Sequence, residues 1–267
     1  LQWIDKEDWI YEVSFDAGAL TRGYEHVRLE FLGLDTYADV FLNETQILTA
    51  DNMFRRWRTE VKRLLRPGEN TLKVYFHSPI KVDLPKYDSL PYRYEAVNDQ
   101  SANGGLFDKR VSVFARKAGY HYGWDWGPRL PDAGLFREAS VLAVKTARLA
   151  QVFVGQEHHV TGKTVHGNVV DFVRLTADAE IEWMPGVTDG KVKIVMTVTS
   201  PDGKTVLTAE SGTMDPLTNS APAKNLTGLT CDLRSNHVQA SLTVENPELW
   251  WPNGYGAQAL YQVKVEL

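Results

Sequence analysis

Apolar residues recur at every second position through much of the first half of the chain. Trp9, Tyr11, Val13 and Phe15 alternate with residues of an opposite face, Val27, Leu29 and Phe31 repeat the pattern, and Leu72, Val74 and Phe76 resume it after the turn-forming run Pro67-Gly68-Glu69-Asn70. A period of two predicts strands with one buried face, and its recurrence between turns predicts a sandwich or barrel. Val61, Leu64 and Leu65 have helical spacing over a single turn, too short for an independent layer. Residues 78–110 are rich in Pro, Tyr, Asp and Asn. Because Pro79, Pro85 and Pro91 withhold ladder donors, this stretch is expected to be a long extended loop across one end of the sandwich. Strand pattern resumes at Val111, Val113 and Phe114 and breaks at Gly123-Trp124-Asp125-Trp126-Gly127-Pro128.

Val141, Leu142 and Val144 close this first unit, so the boundary is expected within a few residues of Ala147, giving domains of residues 1–146 and 147–267. Beyond it, strands are expected at 172–175, 192–198, 206–209, 238–244 and 260–265, with Pro201-Asp202-Gly203-Lys204 as a hairpin turn. About seven short strands over this length is the immunoglobulin-like expectation. The chain is thus read as all-β, two sandwiches in series.

Composition narrows the function classes. The 267 residues carry a net charge of -5, with 29 Lys and Arg against 34 Asp and Glu, and the dense basic patch is Arg55, Arg56, Arg58, Lys62, Arg63 and Arg66. That balance argues against a nucleic-acid groove, which needs a favourable overall field, and the patch is expected to be salt-bridged and snorkelling side chains. The single cysteine, Cys231, excludes an internal disulfide, and no apolar run reaches the roughly 20 residues of a spanning helix, so a soluble chain without a membrane partner is expected. Eight Trp, eleven Tyr and ten Phe suit strand faces and also platforms on which sugars stack.

The densest chemistry lies at Lys117-Ala118-Gly119-Tyr120-His121-Tyr122-Gly123-Trp124-Asp125-Trp126-Gly127-Pro128-Arg129. Asp125 between two indoles offers a charged acceptor for hydroxyls beside rings that pack on apolar C–H faces, which is sugar-binding chemistry. Residue chemistry alone leaves open a folded-back loop in which Asp125 caps backbone N–H groups and the indoles fill core space.

The segments Leu34-Asp35-Thr36-Tyr37-Ala38-Asp39-Val40-Phe41-Leu42-Asn43, Ala50-Asp51-Asn52-Met53-Phe54-Arg55-Arg56-Trp57, Pro67-Gly68-Glu69-Asn70-Thr71-Leu72 and Phe114-Ala115-Arg116-Lys117, leading into the Trp124 segment, resemble the amino-terminal part of the β-mannosidases. These belong, with β-galactosidase and β-glucuronidase, to glycoside hydrolase family 2. Asn246-Pro247-Glu248-Leu249-Trp250-Trp251-Pro252-Asn253-Gly254-Tyr255-Gly256 with Leu260-Tyr261 resembles the end of that family's first immunoglobulin-like domain. The resemblance implies a jelly-roll sugar-binding-type domain, a sandwich, and then a (β/α)8 barrel in the same polypeptide that holds the catalytic glutamates.

No catalytic residue, metal ligand or cofactor is therefore assigned within this chain, which is expected to be inactive alone. Carried over, Asp125 would meet the hydroxyls of a terminal mannose and Trp124 would wall the pocket. Trp126 is the weaker member, since alternate side chains of an extended loop need not face the same way. The implied partners are a β-mannoside or manno-oligosaccharide and the barrel, with homo-oligomers open. A periplasmic or secreted location is expected, with cytoplasmic and lysosomal ones as alternatives. A free-standing carbohydrate-binding or structural module is the competing reading.

Three features depart from the family. Its members carry a further segment before the equivalent of Trp9, so the first strand or strands of the jelly roll are expected to be missing. Asn43-Glu44-Thr45 stands where Asn-Gly is usual, and since Glu resists positive φ a different turn is expected. The stretch 153–168, with His158, His159 and His166, matches nothing in the family and reads as exposed loop histidines rather than a zinc site. Asp5, Glu7 and Asp8 read as a solvated amino end, and Asn43-Glu44-Thr45 and Asn225-Leu226-Thr227 are formal glycosylation acceptors.

Overall fold

A computed structural model describes residues 1–165, 167–216 and 236–267. The chain divides into two compact units, Leu1–Lys145 and Thr146–Leu267. Cys231, His166 and the Asn225 acceptor fall outside the described residues.

In unit 1 the strands are β1 (Trp9–Asp16), β2 (His26–Phe31), β3 (Leu34–Asp35), β4 (Tyr37–Leu42), β5 (Thr45–Asp51), β6 (Trp57–Glu60), β7 (Glu69–Phe76), β8 (Gly134–Leu135) and β9 (Ala139–Val144), with helices α1 (Gly18–Gly23) and α2 (Pro79–Ser89). Antiparallel sheets of order β1-β7-β4-β5 and β6-β2-β9 enclose the core, and β3 pairs with β8. The alternation does the work: Val27, Leu29 and Phe31, then Ala38, Val40 and Leu42, then Leu72, Val74 and Phe76 are all buried in one cluster. β1 is an edge strand, so Trp9 and Phe15 reach the core while Tyr11 and Val13 stay largely exposed. Residues 61–65 form the expected single turn, with the Leu64 and Leu65 amides donating to the Val61 carbonyl at 2.9 and 3.2 Å.

Three expectations for unit 1 are corrected. The stretch after Ser78 is not extended throughout: Ser78 caps α2 by accepting from the Lys81 amide at 3.1 Å, and Pro79 sits where a helix has no use for an N–H. Residues 112–114 form a turn rather than a strand. The Asn43-Glu44 turn does adopt positive φ at both residues, 49° and 68°. The Asn43 side chain accepts from the Thr71 amide at 3.0 Å and donates to Asn70 and the Leu64 carbonyl at 2.8 and 3.0 Å, which holds the turn in that conformation. Those same bonds occupy the amide that glycosylation would need.

Unit 2 contains β10 (Ala147–Thr164), β11 (Gly167–Trp183), β12 (Val195–Thr199), β13 (Val206–Glu210), β14 (His237–Glu245) and β15 (Gln262–Glu266). Two antiparallel sheets, β10-β11-β14 and β13-β12-β15, bury Val173, Leu175, Ala177, Ala179 and Ile181 of β11 against Ile194, Met196 and Val198. The 172–175 strand is thus the middle of a far longer one. Val192 lies outside β12, in an isolated bridge with Met214. Residues 153–164 and 167–168 belong to the paired strands β10 and β11 rather than to a loop. His158 and His159 are exposed, His159 bonding Asp171 at 2.6 Å and stacking on Phe172 at 4.5 Å.

Candidate functional site

The glycine-rich Trp124 segment leaves the sandwich of unit 1 between two buried cations. Lys117, with a fully buried ammonium, pairs with buried Asp35 of β3 and donates to the Asp132 carbonyl at 2.8 Å and carboxylate at 3.1 Å. His121 contacts the same Asp132 carboxylate at 2.6 Å. The two ends of the loop, 117 and 132, are therefore held together by charge. The His121 hydrogen bond, joined by the Lys117 charge, holds the Asp132 carboxyl well below its ordinary range. Donor atoms of Asp35, His121 and Asp132 lie within 4.8 Å of one another. The Lys117 ammonium neutralises that cluster, as a metal ion would.

The second cation is Arg129, also fully buried, whose guanidinium lies 2.7 Å from the buried Asp5 carboxylate, close but off the hydrogen-bond axis. Gln2 accepts from this guanidinium at 3.1 Å and donates to the Arg129 carbonyl. Asp5 is thus not part of a solvated end, and Asp8 likewise accepts from Tyr75 at 2.7 Å and from the Ser78 amide at 2.8 Å. Gly104 lets the backbone lie flat on Arg129, since a Cβ there would come within 2.5 Å of the guanidinium. Behind the loop, Tyr37 donates to buried Asp83 of α2 at 2.7 Å, and Lys86 reaches the same carboxylate at 2.7 Å. Burial raises the Asp83 carboxyl against the lowering pull of these two bonds.

Between these anchors the chain turns sharply. Gly123 takes φ +117°, where a Cβ would strike Gln100 at 2.7 Å, and Gln100 donates to the Trp124 carbonyl. The Trp124 amide donates to the Gly127 carbonyl at 3.2 Å, closing a four-residue tip. At the tip the Trp124 and Trp126 rings meet edge-on, centroids 5.7 Å apart, with 39% and 83% of their surface exposed. Asp125 between them is exposed and makes no hydrogen bond or ion pair among the described residues. A folded-back loop in which Asp125 caps backbone groups and the indoles fill the core is not what forms. Tyr120, His121, Trp124, Trp126, Gly127, Pro128 and Leu130 line a shallow cavity of about 520 Å³ beside the tip.

The sequence singled out Asp125, Trp124 and Trp126, which the structure brings together on one exposed turn. Sequence reasoning missed the anchors Lys117, Asp132, His121, Arg129, Asp35 and Asp5, although Lys117 and Arg129 visibly bracket the motif. Three members of the basic patch are paired as expected: Glu30 pairs with Arg58 at 2.5 Å and Arg56 at 3.7 Å, and Arg55 stacks on Trp57 at 4.6 Å.

Residues 1–137 match the glycosyl hydrolase 2 galactose-binding domain-like family, and residues 158–267 match the glycosyl hydrolases family 2 domain, so most of the stretch 153–168, read from the sequence as foreign to the family, falls within the family match. The chain belongs to glycosyl hydrolase family 2. Within the family, it is 30% identical over 267 residues to β-mannosidase B of Aspergillus oryzae and 34% identical over 269 residues to that of Aspergillus fumigatus, each match covering 100% of this chain and 27% of the relative. The chain thus spans about a quarter of the length of these relatives and is homologous to the amino-terminal region of β-mannosidases. The crystal structure of β-D-mannosidase from Dictyoglomus thermophilum superposes with a TM-score of 0.69 at 29% identity, covering 99% of this chain and 28% of that one. A Bifidobacterium dentium β-glucuronidase shares the fold, with a TM-score of 0.58 at 18% identity over 96% of this chain and 36% of its own. Both domains are β-sandwiches of the family's non-catalytic part.

Proposed function

We propose that these two domains belong to a β-mannosidase that hydrolyses terminal β-D-mannosides with retention, and that the tip at Trp124-Asp125-Trp126 completes its substrate pocket. The observation that carries this reading is the unpartnered Asp125 carboxylate, held between exposed indoles on a loop whose two ends are tied by buried charge. A carboxylate left without a partner on an otherwise anchored turn is preorganised for hydroxyl donors supplied from outside the chain. The sugar's C–H face would rest on Trp124. The catalytic pair of a retaining glycosidase stands about 5 to 5.5 Å apart. In this reading it comes from a barrel of the parent enzyme, so the isolated chain turns over no aryl β-mannoside. Such turnover by purified chain, free of full-length enzyme, would refute the assignment of catalysis elsewhere.

In the parent, Trp124→Ala should raise KM for an aryl β-mannoside about tenfold, the effect of losing one stacking face. Wild-type KM and kcat in that variant would remove Trp124 from the pocket. The family resemblance of a free-standing binding module predicts instead submicromolar mannose binding by the isolated chain at this tip. A single loop offers too few convergent groups for that, and no saturation is expected below millimolar sugar.

A further inference from the structure

The sandwich of unit 2 opens into a second cavity. β11 pairs with β14 only as far as Phe172 opposite Glu245, whereas β10 and β11 continue as a two-stranded hairpin to Thr164 and Gly167. A cavity of about 480 Å³ lies between this extension and the segment that leads into β15. That volume is in the range of small-ligand pockets. Val173, Leu175 and Val244 form its buried walls. Trp250, half exposed, and Trp251 stand at its mouth with Gln156, Asn168 and Glu248.

The aromatic mouth is built rather than loose. Trp251 is wedged between two glycines: a Cβ on Gly167, at φ +138°, would come within 2.8 Å of the indole, and one on Gly256 within 2.7 Å. Its amide donates to the Ala257 carbonyl at 2.8 Å, Trp250 bridges to Gln258, and the Glu248 amide donates to the Tyr261 hydroxyl at 3.0 Å. By contrast, the side chains of Asn168 and Glu248 make no hydrogen bond among the described residues.

Charge selects the occupant. Among the described residues neither Lys nor Arg lines the cavity, His158 beside Gln156 is its one imidazole and Glu248 its one carboxylate, so a phosphate, sulfate or uronate would meet a single imidazole set against a like-charged carboxylate. A wholly apolar occupant would strip water from Asn168, Gln156 and Glu248 without replacing its hydrogen bonds. A neutral sugar satisfies both demands, its C–H face on an indole and its hydroxyls on the amides and the carboxylate. We propose that this cavity is a binding site for a neutral oligosaccharide, independent of the loop in unit 1 and of its assignment.

Titrating the chain with mannotetraose, followed by the indole N–H resonances, tests it. Saturable shifts of Trp250 and Trp251 are expected, with a Kd on the order of 1 mM. Trp250→Ala should weaken binding at least about tenfold and Glu248→Gln about threefold, while Trp250→Phe keeps most of it and Trp126→Ala leaves it unchanged. Unshifted Trp250 and Trp251 resonances at about 20 mM sugar would overturn the proposal. So would shifts that vanish with Trp126→Ala but survive Trp250→Ala. The Trp250→Phe variant keeps the test decisive should the alanine variant fail to fold.

Discussion

The base and the tip of the loop at residues 117–132 are built on opposite plans. At the base, two fully buried cations, Lys117 and Arg129, meet buried carboxylates of distant segments, Asp35 and Asp5. At the tip, residues 124–126, a carboxylate and two large indoles stand in solvent, and among the described residues the charge has no partner. Burying ion pairs is a costly way to gain stability, since well-packed apolar residues of the same volume often do better. What such pairs supply is a fixed position. The contrast teaches that the base spends its interactions on placing a tip that does nothing for this chain's own stability.

If that contrast is right, substitutions at the base should unfold unit 1 and those at the tip should not. Lys117→Met leaves Asp35 buried and uncompensated and is expected to cost about 3–5 kcal/mol in urea unfolding. A cost below about 1 kcal/mol would mean the base is not the anchor. Gly104→Ala forces a methyl group against the Arg129 guanidinium and should cost about 1–3 kcal/mol, measurable as a shift in the urea midpoint.

Asp132 sharpens the comparison through pH. Its folded carboxyl lies below its ordinary value of 3.8, so its contribution is fully present above that pH and fades as the pH falls through 3.8 toward the lower folded value. Partly exposed, it is worth about 1 kcal/mol. The stability gap between the wild type and Asp132→Asn should therefore close as the pH falls through 3.8. A gap that widens as the pH falls below 3.8 would reverse the sign. Smallest of all, Trp126→Ala should leave stability within about 0.5 kcal/mol of wild type.

The tip was legible in the sequence because its chemistry is local: three side chains in a row between glycines. The base was not, because Lys117 and Asp35 are 82 residues apart and nothing in either neighbourhood marks the pairing. β2, β4 and β7 were legible for the opposite reason, since a half-buried strand writes its burial into the alternation. β10 defeated that reading, as most of its outer half is exposed on both faces and has no apolar period to show. α2 was hidden by its prolines, although Ser78-Pro79 is itself a helix-start signal. The Asn43-Glu44 turn shows the limit of local rules. A positive φ at Glu44 costs about 1–2 kcal/mol. Long-range bonds from Asn43 to Asn70 and Thr71 offset that cost.

The most direct test of the tip as a substrate-contacting element is Asp125→Asn, measured twice: as the thermal midpoint of this chain and as kcat/KM of the parent enzyme on an aryl β-mannoside. The substitution keeps the shape and exchanges a charged acceptor for an amide that can turn a donor toward a hydroxyl. A charge-assisted hydrogen bond is worth roughly 1.5–3 kcal/mol, so kcat/KM should fall about ten- to a hundredfold while the midpoint stays where it was. Normal kcat/KM in a folded parent, or a midpoint that falls with the mutation, would contradict the account.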